Sequence, residues 1–233
     1  MHLTGADRFS DTISCFCFNG DKTKLALCPN TSEIWIYAKK GAEWEEECVL
    51  QEHSQVVTSL DWGTKTNRLV SCSQDRNAYV WTFENGKWKP TLVILRLQRA
   101  ATHVTWSPKE DKFAVSSGAK LVCICYFEDE NDWWVSKHIK KHRSTVLSVA
   151  WHPNNVLVAT ASSDGHARVF SAWTKGVDKR GVVSPIPDPE KKAEHFGECL
   201  LDWDVGSFVK GEQSSGTESV HYSNSYFFPS IYY

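Results

Sequence analysis

The sequence predicts an all-β fold in which one four-stranded unit recurs, the plan of a β-propeller. Leu25, Leu69, Phe113 and Leu157 are spaced 44 residues apart, and each opens a short apolar run. An aromatic precedes each by six or seven residues (Phe18, Trp62, Trp106, Trp151), and another closes each unit (Tyr37, Trp81, Tyr126, Phe170). A period of roughly 40–45 residues is that of propeller blades with four strands each. The eleven Trp among 233 residues fit an architecture that uses one per unit.

The units follow in order over residues 13–172, after an N-terminal segment 1–12. The first, residues 13–50, carries the aromatic frame but no His–Asp pair. In the second, 53–96, Leu69–Cys72 and Ala78–Trp81 flank the turn Gln74–Asn77. The third, 99–141, places Ser107-Pro108 where a turn begins after the second-strand aromatic. In the fourth, 142–172, Leu157–Thr160 and Ala167–Phe170 flank Ser163–His166, and His152-Pro153 repeats the turn signal. Short β-branched or aromatic runs separated by Asp, Asn or Gly read as hairpins.

Two units share a further match. His53, Ser59, Asp75 and Trp81 recur at identical offsets as His142, Ser148, Asp164 and Phe170. This is the spacing of the WD40 tetrad, in which a turn Asp accepts from the His ring and the chain runs through Ser to the Trp N–H. A buried network of this kind stabilises only when each member is paired. Phe170 has no N–H, so the second network should stop at Ser148. The recurrence within a repeat argues for structure rather than for a hydrolase triad.

Residues 173–205 read as a charged, Pro-containing linker, with Phe196–Leu201 as a possible start of a fifth blade. In residues 206–233, seven of 28 are Ser, and neither the strand nor the helix period appears. That tail is expected to be disordered or divergent.

Composition narrows the function. A net charge of −2 gives no reason to expect nucleic acid or an anionic membrane as partner. The first thirty residues lack a signal-peptide core and no run reaches membrane-spanning length. The eight cysteines are therefore expected as reduced thiols. Cys15/Cys17 and Cys123/Cys125 are spaced too closely for a zinc pair and read as buried strand residues. The acidic turn Glu128, Asp129, Glu130 and Asp132 lacks calcium-loop spacing. No metal or cofactor is expected. The run Lys137–Arg143 is the main basic cluster; Lys137, Lys140, Lys141 and Arg143, with Arg76, Arg96 and Arg99, are the candidate partner-binding residues.

Several strings include surface and loop residues that blade geometry does not require. Asp75–Trp81, Trp88–Arg96, Glu130–Val135 and His152–Leu157 resemble the subunit 1 family of the actin-related protein 2/3 complex. The resemblance runs from Ile13 to Ala172 and extends to Phe196-Gly197-Glu198. It implies a propeller of about seven blades, so the four recognisable here give an incomplete ring. It further implies a non-catalytic scaffold in the cytoplasm and actin cytoskeleton. Its partners would be the other subunits of the complex and, indirectly, actin filaments and nucleation-promoting factors. The alternative is a general WD40 adaptor, such as a ubiquitin-ligase substrate receptor. An enzyme is not expected: no phosphate loop and no acid–base constellation appears outside the recurring tetrads.

Overall fold

The computed structural model describes residues 12–179 and 194–205. Residues 1–11, residues 180–193 of the linker and the tail 206–233 lie outside the described residues. The first sheet comprises β1 (Cys15–Phe18), β2 (Lys24–Cys28), β3 (Ile34–Lys40) and β4 (Glu43–Leu50). The second comprises β5 (Val57–Trp62), β6 (Leu69–Ser73), β7 (Ala78–Glu84) and β8 (Lys87–Val93). The third comprises β9 (Ala101–Trp106), β10 (Lys112–Ser117), β11 (Val122–Glu128) and β12 (Trp133–Ile139). The fourth comprises β13 (Val146–Trp151), β14 (Leu157–Ser162), β15 (His166–Ser171) and β16 (Cys199–Asp204). Each sheet is antiparallel and ordered as in sequence, the architecture of β-propeller blades.

The second strand of a blade lies between neighbouring sheets, so both of its faces are buried. Accordingly β6 and β10 are buried at every residue, including the polar Ser71, Ser73, Lys112, Ser116 and Ser117. The outer strand β8 alternates exposure and carries Lys87, Lys89 and Pro90, residues that blunt a sheet edge. Its hairpin turns at Asn85-Gly86, with φ of 51° and 76°, the left-handed pair that a two-residue turn demands.

Side chains fill the space between blades. Ile34, Ile36, Leu60, Trp62 and Leu69 join the first blade to the second. Val80, Leu95, Trp106, Phe113 and Trp134 join the second to the third. Ile124, Ile139, Val149, Val158 and Phe170 join the third to the fourth. Hydroxyls repeat the blade period along the inner strands. Ser14 Oγ donates to Val57 O (2.9 Å), Thr58 Oγ1 to Ala101 O (3.0 Å) and Thr102 Oγ1 to Val146 O (2.6 Å). In the fourth blade the place of Thr58 in the strand bulge is taken by Leu147, which is 54% exposed.

One expectation about residues 173–205 is corrected. The stretch expected to start a fifth blade instead forms β16, the outer strand of the fourth, with Leu201 opposite Val169. The other blades join their last two strands through residues 41–42, 85–86 and 129–132, whereas the fourth inserts residues 172–198 there. That insertion displaces the outer strand from its period. The start of the linker packs against the third blade through Asp178, whose Oδ2 also accepts from the Thr174 N–H. There Asp178 Oδ2 accepts from the fully buried Lys112 Nζ at 2.5 Å.

Candidate functional site

In the second blade a buried chain of hydrogen bonds links a turn, a loop and two strands. His53 Nδ1–H donates to Asp75 Oδ2 (2.7 Å), and His53 Nε2 accepts from Ser71 Oγ–H (2.8 Å). Ser71 Oγ in turn accepts from Trp81 Nε1–H (2.9 Å). The serine in this chain is Ser71 on β6, not Ser59 as the spacing suggested. Ser59 lies on β5 and bonds the backbone of Val104 on the neighbouring blade, accepting from its N–H at 3.2 Å. The carboxylate of Asp75 also accepts from the N–H of Ser54 and of Asn77, so the turn and the loop entering β5 are held together. Burial works against its charge, but His53 and the N–H groups of Asn77 and Ser54 together outweigh it and hold the carboxyl below its ordinary range.

The fourth blade departs further. Ser148 is exposed and joins no network among the described residues, and Thr160 stands where Ser71 stands in the second blade. Thr160 Oγ1 bonds the backbone carbonyl of Arg168. Arg168 occupies the place of Tyr79 and sends its guanidinium inward, donating to both oxygens of Asp164 and to His142 Nδ1 (3.1 Å). His142 is thus kept from Asp164 by an intervening cation. Its proton must sit on Nε2, which is buried and lacks a hydrogen-bond partner among the described residues. The ring meets Phe170 edge-on at 5.4 Å. Burial, followed by the adjacent Arg168 charge, pushes the His142 pKa down to about 4. Asp164 is held well below the carboxylate range: burial opposes its charge, but the N–H of Arg143 and the Arg168 guanidinium outweigh that.

These networks fix the loops at one end of the blade array. Gln74 N–H donates to Val56 O, Gly118 N–H to Ala100 O and Ser163 N–H to Thr145 O, each at 2.9 Å. Each bond ties the turn after a blade's second strand to the loop entering its first. Arg76, Arg96, Arg99, Lys140, Lys141 and Arg143 all lie on these turns and loops and are exposed. Lys120, on the β10–β11 turn, joins them; a lone Lys in a turn gave no sequence signal. Neighbouring blades are close here. A Cβ built on Gly118 would lie 3.4 Å from Arg99 Cβ and 3.9 Å from Thr145 Oγ1. Arg76 and Arg96 hold left-handed backbones (φ of 73° and 54°), which shape the turn and loop that present them.

Lys137 does not belong with this group. It lies on the outer strand β12, half-buried, with its ammonium 5.1 Å from the Tyr126 ring and 5.7 Å from Phe196. The thiols also differ from expectation in one respect. Cys123 and Cys125 are buried, but Cys15 and Cys17 are only partly so.

The family model "WD domain, G-beta repeat" matches residues 44–82 and 133–171. Each match runs from the outer strand of one blade through the first three strands of the next. Among curated relatives, actin-related protein 2/3 complex subunit 1A-A of Xenopus laevis is 57% identical over 198 residues, covering 83% of this chain and 54% of that protein. Subunit 1A of Arabidopsis thaliana is 48% identical over 207 residues, 88% of this chain and 54% of that protein. Subunit 1 of Schizosaccharomyces pombe is 52% identical over 169 residues, 72% of this chain and 45% of that protein. The chain spans about half the length of the curated relatives it matches. It is a WD40-repeat protein homologous, over most of its own length, to subunit 1 of the actin-related protein 2/3 complex.

Proposed function

We propose that this chain acts as a non-catalytic scaffold subunit of the actin-related protein 2/3 complex, in the cytoplasm and actin cytoskeleton, supporting nucleation of branched filaments. The observation that carries this reading is the identity of 48–57% to proteins named as subunit 1 of that complex, over 83–88% of this chain. The geometry supports it. Stacked sheets with buried inter-blade clusters make a rigid body, and loops on a rigid body are suited to holding other proteins in fixed relation. The exposed cations Arg76, Arg96, Arg99, Lys120, Lys140, Lys141 and Arg143 emerge from one end of three successive blades. Asp75 and Asp164, acidic turn residues at the same end, are tied into internal networks. An acidic surface of a neighbouring subunit or of a nucleation-promoting factor is the complementary partner.

The test is a pull-down with the full chain as bait. Recovery of the actin-related proteins is expected. Recovery of cullin-type ligase components in their place would favour a general WD40 adaptor and sink the scaffold reading.

A further inference from the structure

Cys15 and Cys28 stand directly opposite one another in the β1–β2 pair, so their side chains share the face that packs on the second blade. Cys28 is completely buried within the cluster between the first two blades, and Cys15 lies half-buried at its margin. The Cys15 S–H donates to the Val57 carbonyl of the second blade at 3.9 Å. The adjacent Cys28 side chain lowers the Cys15 pKa against the opposing effect of burial. The Ser14 hydroxyl, 3.9 Å from the same sulfur, adds to the effect. Cys28 moves the other way, pushed up by burial first and then by the adjacent Cys15. The pair is therefore asymmetric: a partly exposed sulfur whose pKa is lowered, and a buried sulfur whose pKa is raised.

The backbone already has the spacing a cross-link needs. Opposed residues of an antiparallel pair have Cα atoms about 4.5–5.5 Å apart, inside the roughly 4.4–6.8 Å that a disulfide spans. Cys17, two residues along β1, faces Ala26 and has no opposed thiol.

We propose that Cys15 and Cys28 form a peroxide-responsive modification site, with Cys15 as the oxidised residue and Cys28 as the residue that resolves it to a cross-strand disulfide. Hydrogen peroxide is the oxidant. The Cys15 thiolate attacks one peroxide oxygen; the S–O bond forms, the O–O bond breaks, and the departing hydroxide takes a proton and leaves as water. The Cys28 sulfur then attacks the Cys15 sulfenic sulfur. The S–S bond forms, the S–O bond breaks, and the hydroxide leaves with the Cys28 proton as a second water. Both thiols are oxidised and the peroxide is reduced. Low pKa, access and an adjacent resolving thiol are the features that select such residues. The product would pin β1 to β2 beside the Ser14–Val57 bond that joins the first two blades.

The experiment uses the full chain, oxidised with one equivalent of hydrogen peroxide, blocked with N-ethylmaleimide and digested without reductant. Mass spectrometry should find the Cys15 and Cys28 peptides linked, about 2 Da lighter than their reduced sum, and dithiothreitol should separate them. Cys28→Ser should hold Cys15 as a sulfenic acid that dimedone traps, and Cys15→Ser should leave Cys28 unoxidised. A link between other cysteines, or Cys15 advancing to sulfinic acid without the link, overturns the proposal. Should Cys28→Ser fail to fold by circular dichroism, the cross-link in the unsubstituted chain decides alone.

Discussion

Arg168 Nη1 lies 2.9 Å from Asp164 Oδ2 and 3.1 Å from Asp164 Oδ1, with both side chains almost fully buried. This pair replaces, in the fourth blade, the His–Asp bond that organises the second. Removing Asp164 therefore leaves a buried guanidinium, whose remaining carboxylate is that of the half-exposed Asp202. Asp164→Ala is expected to cost about 3 kcal/mol, as for breaking a buried pair. Asp75→Ala leaves the His53 ring N–H and the Ser54 and Asn77 N–H groups short of their acceptor and should cost about 1–3 kcal/mol. Urea midpoints of the two variants check the order; a smaller loss for Asp164→Ala contradicts the role given to Arg168.

Ser71 and Ser59 give a second comparison. Ser71→Ala deprives His53 and Trp81 of their shared partner at once, and about 2 kcal/mol of stability should be lost. Ser59→Ala removes one bond to the Val104 backbone and should cost about 1 kcal/mol. Equal losses in chemical denaturation would show that Ser71 is not the centre of the network.

His142 gives a pH dependence with a definite sign. Its folded pKa, about 4, lies below the ordinary value of 6.5, so the unfolded chain binds the proton more readily. Stability should thus fall as pH drops from about 6.5 to about 4, by at most about 1.4 kcal/mol per pH unit from this group. Below that window the group contributes no further change. Asp164 acts in the same direction but at lower pH. His142→Gln should flatten the urea midpoint between pH 6.5 and 4; an unchanged slope would rule out a neutral buried His142.

Lys112 and Asp178 tie the segment after the fourth blade to the third. Asp178→Ala leaves Lys112 buried and unpaired and should cost about 3–5 kcal/mol. The Lys112→Met, Asp178→Leu double variant should recover most of that loss, because two apolar groups of similar size leave no charge stranded. A double-mutant cycle measures this coupling, and additive losses would mean that the pair contributes nothing.

The inner three strands of each blade were legible because the apolar period and the closing aromatics mark them directly. The outer strand of the fourth blade was not, because residues 172–198 displace it, and Phe196–Leu201 fall by coincidence where a fifth blade would begin. Ser71 escaped because recurrence was the only signal available. Its counterpart is Thr160, so identical residues at identical offsets pointed to Ser59 and Ser148 instead. Arg168 broke the second network for a related reason: a charged residue in a strand reads as solvent-facing, and only the structure turns it inward against Asp164. The basic residues were legible one by one, but their shared end follows from the blade connections and not from their spacing.

The central claim is that this chain is a subunit-type scaffold whose basic end docks an acidic partner surface. Reconstitution of the full chain with the remaining subunits of the actin-related protein 2/3 complex tests it most directly, read by co-elution across a salt series. The chain should co-elute at physiological salt, where the Debye length is about 8 Å, and dissociate as salt rises and exposed charges are screened. Reversing Arg99, Lys120, Lys140, Lys141 and Arg143 together should weaken co-elution at every salt concentration while leaving the circular dichroism spectrum unchanged. A chain that is folded by that spectrum and yet binds none of the other subunits would contradict the account.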